Sequence, residues 1–318
     1  MVSVNKEAMK IVRKAMDESE KIGIAVHVLK NGATVLDMGV HVLGSWAAGL
    51  YFTEVTLGGI GNVSLGRFHL DDDVNLASVD VYADDPVVAC LGSQIAGWQI
   101  SSGEFAVIGS GPARAVARMP QDPYISHISY VDHSDEVVLC LQSTSLPDEI
   151  VAEKVAEGCR VDPKNVYLLV APSASIVGSI QVPARVLEQT MHKLIENDFD
   201  PNQVVFAWGS APVPPVHHDE LKAMGRINDA LLYGGVADFW VKSDDSECER
   251  VVKGLVSEAS SEYGKPFEEI FLAHGKDFYK IDPRVHALAR VQIHNITSGK
   301  CFAAGRINRD VLKRSFGL

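Results

Sequence analysis

Nowhere in the 318 residues do lysine and arginine run longer than a pair, and the formal net charge is −12. A nucleic-acid binder needs a basic stripe to neutralise phosphates, so that class is excluded. The excess acid speaks to solubility and names no substrate. Cysteine is scarce and widely spaced, at Cys90, Cys140, Cys159, Cys248 and Cys301. With no CxxC pair, neither a zinc ribbon nor a thioredoxin-like site is supported. The odd count fits a reducing compartment, and most of these thiols sit in or beside apolar runs, where cysteine acts as a small core residue. No apolar stretch approaches the roughly 20 residues of a membrane span. The N-terminal stretch lacks the apolar segment of a signal peptide, so a cytoplasmic protein is expected.

Phosphate loops are missing too. Gly58-Gly59-Ile60-Gly61 and Gly109-Ser110-Gly111 begin like dinucleotide fingerprints, but Ser64 and Arg114 stand where the next glycine belongs. There is no P-loop, no HExxH and no GxSxG elbow. His217-His218-Asp219-Glu220 offers metal-ligand chemistry, but adjacent histidines on a loop tend to point apart, so no metal is expected.

What is present is an ordinary globular composition, 47% hydrophobic and 22% charged, on a chain long enough for two domains. A helix over 5–21 is expected, with Asn5 as its cap. Two β-rich runs around Asn31-Gly32 read as a hairpin. The stretch 50–66 reads as a strand followed by a glycine-rich turn, and 74–83 as an alternating strand. The segment 86–100 reads as a buried helix. Strands around VVLCLQ and NVYLLVA flank an amphipathic helix at 147–158, with Pro147 near its start and Gly158 as its stop. Further helices are expected over 182–198, briefly within 223–234, and over 249–264. Helices and strands interleave with many hairpin turns, which favours α+β with mixed sheets over a doubly wound parallel sheet. Two domains are expected, 1–170 and 171–318.

Four stretches carry candidate chemistry. In the first, Pro183 opens a helix whose Val182, Val186, Thr190 and Leu194 form a stripe. Arg185 and Glu188 are then neighbours on one face. They form either a surface ion pair worth well under ~1 kcal/mol, or a base with an arginine that sets its pKa. In the second, Ser93, Gln94 and Trp98 mix hydroxyl, amide and ring. That set suits a flat heterocycle, or else a helix interior with a buried glutamine. In the third, Gly109-Ser110-Gly111-Pro112-Ala113-Arg114 is either an anion-holding turn or simply a tight one. In the fourth, Arg226, Asn228 and Asp229 look like a polar break of the kind that binds ligand, or a helix cap.

Together these stretches resemble the methenyltetrahydromethanopterin cyclohydrolases. The likeness includes Asn31–Asp37, Gly44-Ser45, Gly58-Gly59, Ser93-Gln94, Ala96-Gly97-Trp98, Gly109–Arg114 and Gly178–Gln181. It continues through Ala184-Arg185 with Glu188, His192-Lys193, Met224–Asp229, Asp277–Pro283 and Ser315-Phe316-Gly317. The sequence departs from that pattern at Met38, Ile95, His286 and Leu288, which points to a divergent branch. The resemblance implies a two-domain α+β subunit enclosing a pterin cleft, assembled as a homotrimer. It also implies reversible hydrolysis of the N5,N10-methenyl carrier to the N5-formyl form, without metal or cofactor, tetrahydromethanopterin being the substrate carrier. Glu188 and Arg185 would be catalytic. Ser93, Gln94, Trp98, Ser110, Arg114, Arg226, Asn228 and Asp229 would line the pocket. A different pterin carrier, or a silent pterin-binding subunit, are the competing readings.

Overall fold

A computed structural model describes residues 2–103, 105–277 and 280–318. In chain order the helices and strands begin with α1 (Val4–Asp17), α2 (Ser19–Ile22), β1 (Ala25–Val28), β2 (Thr34–Asp37), α3 (Trp46–Thr56), β3 (Gly61–His69) and β4 (Asn75–Ala83). A π-helical segment, Val87–Gln94, precedes β5 (Trp98–Ser102), β6 (Phe105–Gly109), α4 (Ala113–Ala117), β7 (Val137–Gln142), α5 (Glu149–Cys159), β8 (Val166–Ala171) and α6 (Ile176–Gln181). A 3-10 turn, Pro183–Arg185, leads into α7 (Val186–Glu196), β9 (Val204–Pro212), α8 (Glu220–Gly234), β10 (Val236–Val241) and α9 (Asp245–Val252). The chain finishes with α10 (Phe267–Ala273), β11 (Arg290–Asn295), β12 (Cys301–Gly305) and α11 (Arg309–Phe316). The class is α+β, as expected.

The chain divides into two compact units, residues 1–62 with 87–181, and residues 63–86 with 182–318. A single cut after 170 does not describe it. The division falls after 181, and segment 63–86 belongs to the second unit because β4 pairs with β9, with Val81 opposite Gly209.

In the first unit the sheet order is β1-β2-β8-β7. The hairpin around Asn31-Gly32 forms as expected, and β2, β8 and β7 run parallel. Leu36, Val138 and Leu169 face a cluster with Met9, Val12, Phe52 and Val55 from α1 and α3. The alternate residues Val35, Leu139, Leu168 and Val170 pack with Val151 and Val155 of α5. Strands buried on both faces explain the nearly continuous apolar runs.

Several local expectations give way. Ser3 caps α1, accepting from Lys6 N at 3.3 Å. Asn5 is instead fully buried, bonding Asp132, the carbonyl of Pro112 and the amide of Val138. Residues 46–56 are helix rather than strand. Ser45 caps them, and Ala48, Phe52 and Val55 share a buried face, so packing overrides the β-rich composition. The expected buried helix over 86–100 ends at Gln94, and Trp98 starts a strand paired with β6. Asp148 caps α5 and Arg160, at φ 58°, ends it. Gly158 lies within that helix, where a Cβ would come within 2.6 Å of the Trp98 ring.

In the second unit the sheet order is β12-β11-β10-β9-β4-β3. Only β10 and β11 among its registered pairs run parallel. Val79, Val81, Ala207, Phe239, Val291 and Ile293 are buried. Gly209 lets α7 approach, since a Cβ there would sit 2.7 Å from Val186 Cγ2. The helix expected over 249–264 is the shorter α9 followed by a 3-10 turn, Ser257–Ala259. Among the described residues no helix is long and apolar enough to cross a membrane.

Candidate active site

Pro183 begins the turn that leads into α7, and Val182, Val186, Thr190 and Leu194 are buried as the spacing predicts. This seats the start of α7 and presents Arg185 and Glu188 together. Arg185 Nη1 donates to Glu188 Oε2 at 3.2 Å, with side chains only 15% and 11% exposed. A loose surface pair would be far more open to water. Glu188 lies in the first turn of α7, where the helix dipole favours an anion.

The same helix carries a second charged group that spacing did not reveal. The Lys193 side chain is 2% exposed, and its ammonium donates to Glu196 and to the Pro283 carbonyl. His192 Nε2 lies 2.8 Å from Glu196 Oε1. Burial raises the Glu196 carboxyl, but hydrogen bonds from His192 and Lys193 prevail and hold it at about 2. Burial, then the positive charges of Lys193 and His192, push His286 down to about 4. His192 and Lys193 were legible only as parts of the family pattern. In the stretch 277–283, residues 278 and 279 lie outside the described residues.

Arg226, Asn228 and Asp229 do not lie in a polar break. They sit within the 15-residue helix α8, whose cap is Asp219. Asn228 donates to the Met224 carbonyl one turn back. Asp229 is fully buried and accepts from the Phe267 amide at 2.8 Å and the Ser315 hydroxyl at 2.6 Å. Burial pushes its carboxyl up to about 7 against those two bonds. Arg226 donates to the carbonyls of Ser315 and Pro215. Arg226 and Asp229 therefore meet at Ser315 while Asn228 bonds its own helix.

In the first unit, four candidates converge on the end of the π-helical segment. Ser93 Oγ donates to Thr56 O at 2.6 Å, and Gln94 Nε2 to Thr56 Oγ1 at 3.3 Å. Ser110 Oγ donates to Gln94 O at 2.5 Å. Arg114, with its side chain 0% exposed, pairs with Asp122 and donates to the carbonyls of Leu91 and Ser93. The backbone amides of Ser110 and Gly111 are engaged by Cys140 O and Ser93 O. Trp98 is 3% exposed and belongs to the core beside α5. The polar atoms named above meet protein partners in this arrangement.

His217 and His218 stack at 4.5 Å instead of pointing apart. Among the described residues no group of three His, Cys, Asp or Glu side chains is placed to hold a metal. Four of the cysteines are buried, and burial raises the Cys159 thiol to about 12, which leaves it inert at neutral pH.

The family described as Cyclohydrolase (MCH) matches residues 3–316. A Methanocaldococcus jannaschii protein named methenyltetrahydromethanopterin cyclohydrolase is 47% identical, covering 100% of this chain and 99% of that protein. Proteins of the same name from Methanococcus maripaludis and Methanothermobacter marburgensis are 46% and 45% identical, covering 99% and 100% of this chain and 98% and 100% of their own lengths. A family match over nearly every residue, with relatives this similar end to end, leaves one assignment: the chain belongs to the MCH cyclohydrolase family.

Proposed function

We propose that the chain reversibly hydrolyses N5,N10-methenyltetrahydromethanopterin to the N5-formyl form, with Glu188 and Arg185 as its catalytic pair. The observation that carries this reading is the Arg185–Glu188 contact, 3.2 Å long and nearly but not wholly withdrawn from solvent. The methenyl carbon of the cationic substrate is already electrophilic, so the reaction asks for a held water and a base. Glu188 orients that water and takes one of its protons as the oxygen bonds to the carbon. The bond from carbon to N10 then breaks, N10 keeps the electron pair and takes a proton, and one proton is released overall. A carboxylate next to the cation also stabilises it, and Arg185 limits how tightly it does so. No metal or cofactor enters this scheme. The reading includes a cytoplasmic homotrimer, which light scattering on the purified protein tests.

The test follows loss of the methenyl chromophore by near-ultraviolet absorbance. Glu188→Gln is expected to slow turnover by about 10²–10⁴-fold, the usual worth of a general base. Unchanged turnover in that variant would refute the assigned roles. Faster turnover of methenyl-tetrahydrofolate by the wild type would shift the substrate to another carrier.

A further inference from the structure

The second unit contains a cavity of about 270 Å³ whose lining includes His217, Lys222, Arg226, Glu268, Glu269 and Arg314. Neither Arg185 nor Glu188 lines it. Pockets that enclose small organic ligands start at roughly 300 Å³, so this one has room for a small anion or for one charged group of a larger molecule.

Its charges are unevenly compensated. Among the described residues Arg226 donates to the carbonyls of Ser315 and Pro215, and Arg314 to the carbonyl of Gly264. None of Lys222, Arg226 and Arg314 has a carboxylate within salt-bridge distance among the described residues, and Asp219 and Asp229 act on Lys222 and Arg314 only from further off. Glu268 acts on Arg226 from a distance and only partly offsets the burial of the guanidinium, whose pKa is lowered. Three cations thus face one cavity with two glutamates on its wall, in a chain whose net charge is −12. Guanidinium groups tethered through carbonyls keep further N–H donors for an anion, and planar donors match phosphate and carboxylate oxygens.

We propose that this cavity is a small-anion site, taking inorganic phosphate or a phosphate or carboxylate group borne on a larger molecule, with Arg226, Arg314 and Lys222 as its donors. The proposal stands independently of the catalytic roles given to Arg185 and Glu188.

The experiment measures thermal unfolding of the full chain against inorganic phosphate, with sodium chloride at matched ionic strength as control. A ligand that binds the folded state raises the midpoint in a saturable way. Phosphate is expected to do so and chloride not. Arg314→Gln and Lys222→Gln should each weaken the apparent phosphate affinity by about tenfold, as befits loss of a charge-assisted bond. Glu268→Gln should tighten it by about threefold or more, since it removes a like charge from the wall. The opposite signs keep the test valid should one variant fold poorly. An equal response to chloride, or affinities unchanged in all three variants, would overturn the site. In the wild type, phosphate that competes with the methenyl carrier, in a way lost with Arg314→Gln, assigns the anion to the carrier. Phosphate that stabilises without raising KM assigns a free anion.

Discussion

Replacing Asp229 by asparagine is expected to remove a pH-dependent destabilisation that the wild type carries above neutrality. The Asp229 side chain is fully buried between α8, α10 and α11, and its carboxyl is raised from an ordinary 3.8 to about 7. In the unfolded chain the same group loses its proton near 3.8. Between these values the folded state holds a proton that the unfolded state has lost, so stability falls as pH rises through that window. Below about 3.8 the group costs nothing, and above about 7 the cost is complete. A difference of about 3 pH units at about 1.36 kcal/mol each gives ~4 kcal/mol, an upper figure because the site relaxes when charged. Asparagine has the same shape, can still accept from the Phe267 amide and can meet the Ser315 hydroxyl with its own NH₂. It carries no charge at any pH. The assay is urea unfolding followed by tryptophan fluorescence, for wild type and variant, from pH 4 to pH 8.5. The variant should gain on the wild type steadily through that range, and the gap should level off above about pH 8. Taking the difference cancels opposing groups such as Glu196, whose contribution is lost only as pH falls toward about 2. Parallel curves over the whole range would refute the claim that Asp229 is buried in a way that resists ionisation.

Arg114→Gln should cost about 3–5 kcal/mol, since it strands the buried Asp122 carboxylate, while pairing it with Asp122→Asn should cost less than the two single changes summed. A double-mutant cycle by denaturant unfolding reads this coupling directly. His286→Gln should remove a loss of stability that the wild type shows as pH falls from 6.5 to about 4, because the folded state resists protonating that ring. The difference amounts to about 3 kcal/mol and is measured by the same titration. Gly209→Ala should destabilise by about 1–3 kcal/mol, because its Cβ would press on Val186 Cγ2 and on the Val236 carbonyl. Val186 is the first residue of α7, so turnover is expected to fall with it, as the chromophore assay would show.

The features legible from sequence share one property, that a single element's own pattern decides them. VVLCLQ and NVYLLVA became β7 and β8 because strands buried on both faces need uninterrupted apolar residues. Arg185 and Glu188 were found together because helical spacing alone makes them neighbours. Where partners lie far away in sequence, the reading failed. Asp229 looked like part of a loop because Phe267 and Ser315, 38 and 86 residues on, are what let a carboxyl sit inside a helix interior. Even over a short separation a turn can hide a partner: Arg114 gives its guanidinium to Asp122, eight residues on, a pairing that spacing alone did not show. Segment 46–56 has the composition of a strand, and only the packing of Phe52 and Val55 on the first unit's core makes it α3. The same reasoning separates the two central assignments. The spacing of Arg185 and Glu188 is local and legible, but their withdrawal from water depends on how α7 is seated, with Gly209 of β9 leaving room for Val186. A change at Gly209 that lowers turnover while leaving both charged residues in place would show that the neighbouring strand, and not the charged pair alone, sets the geometry of the base.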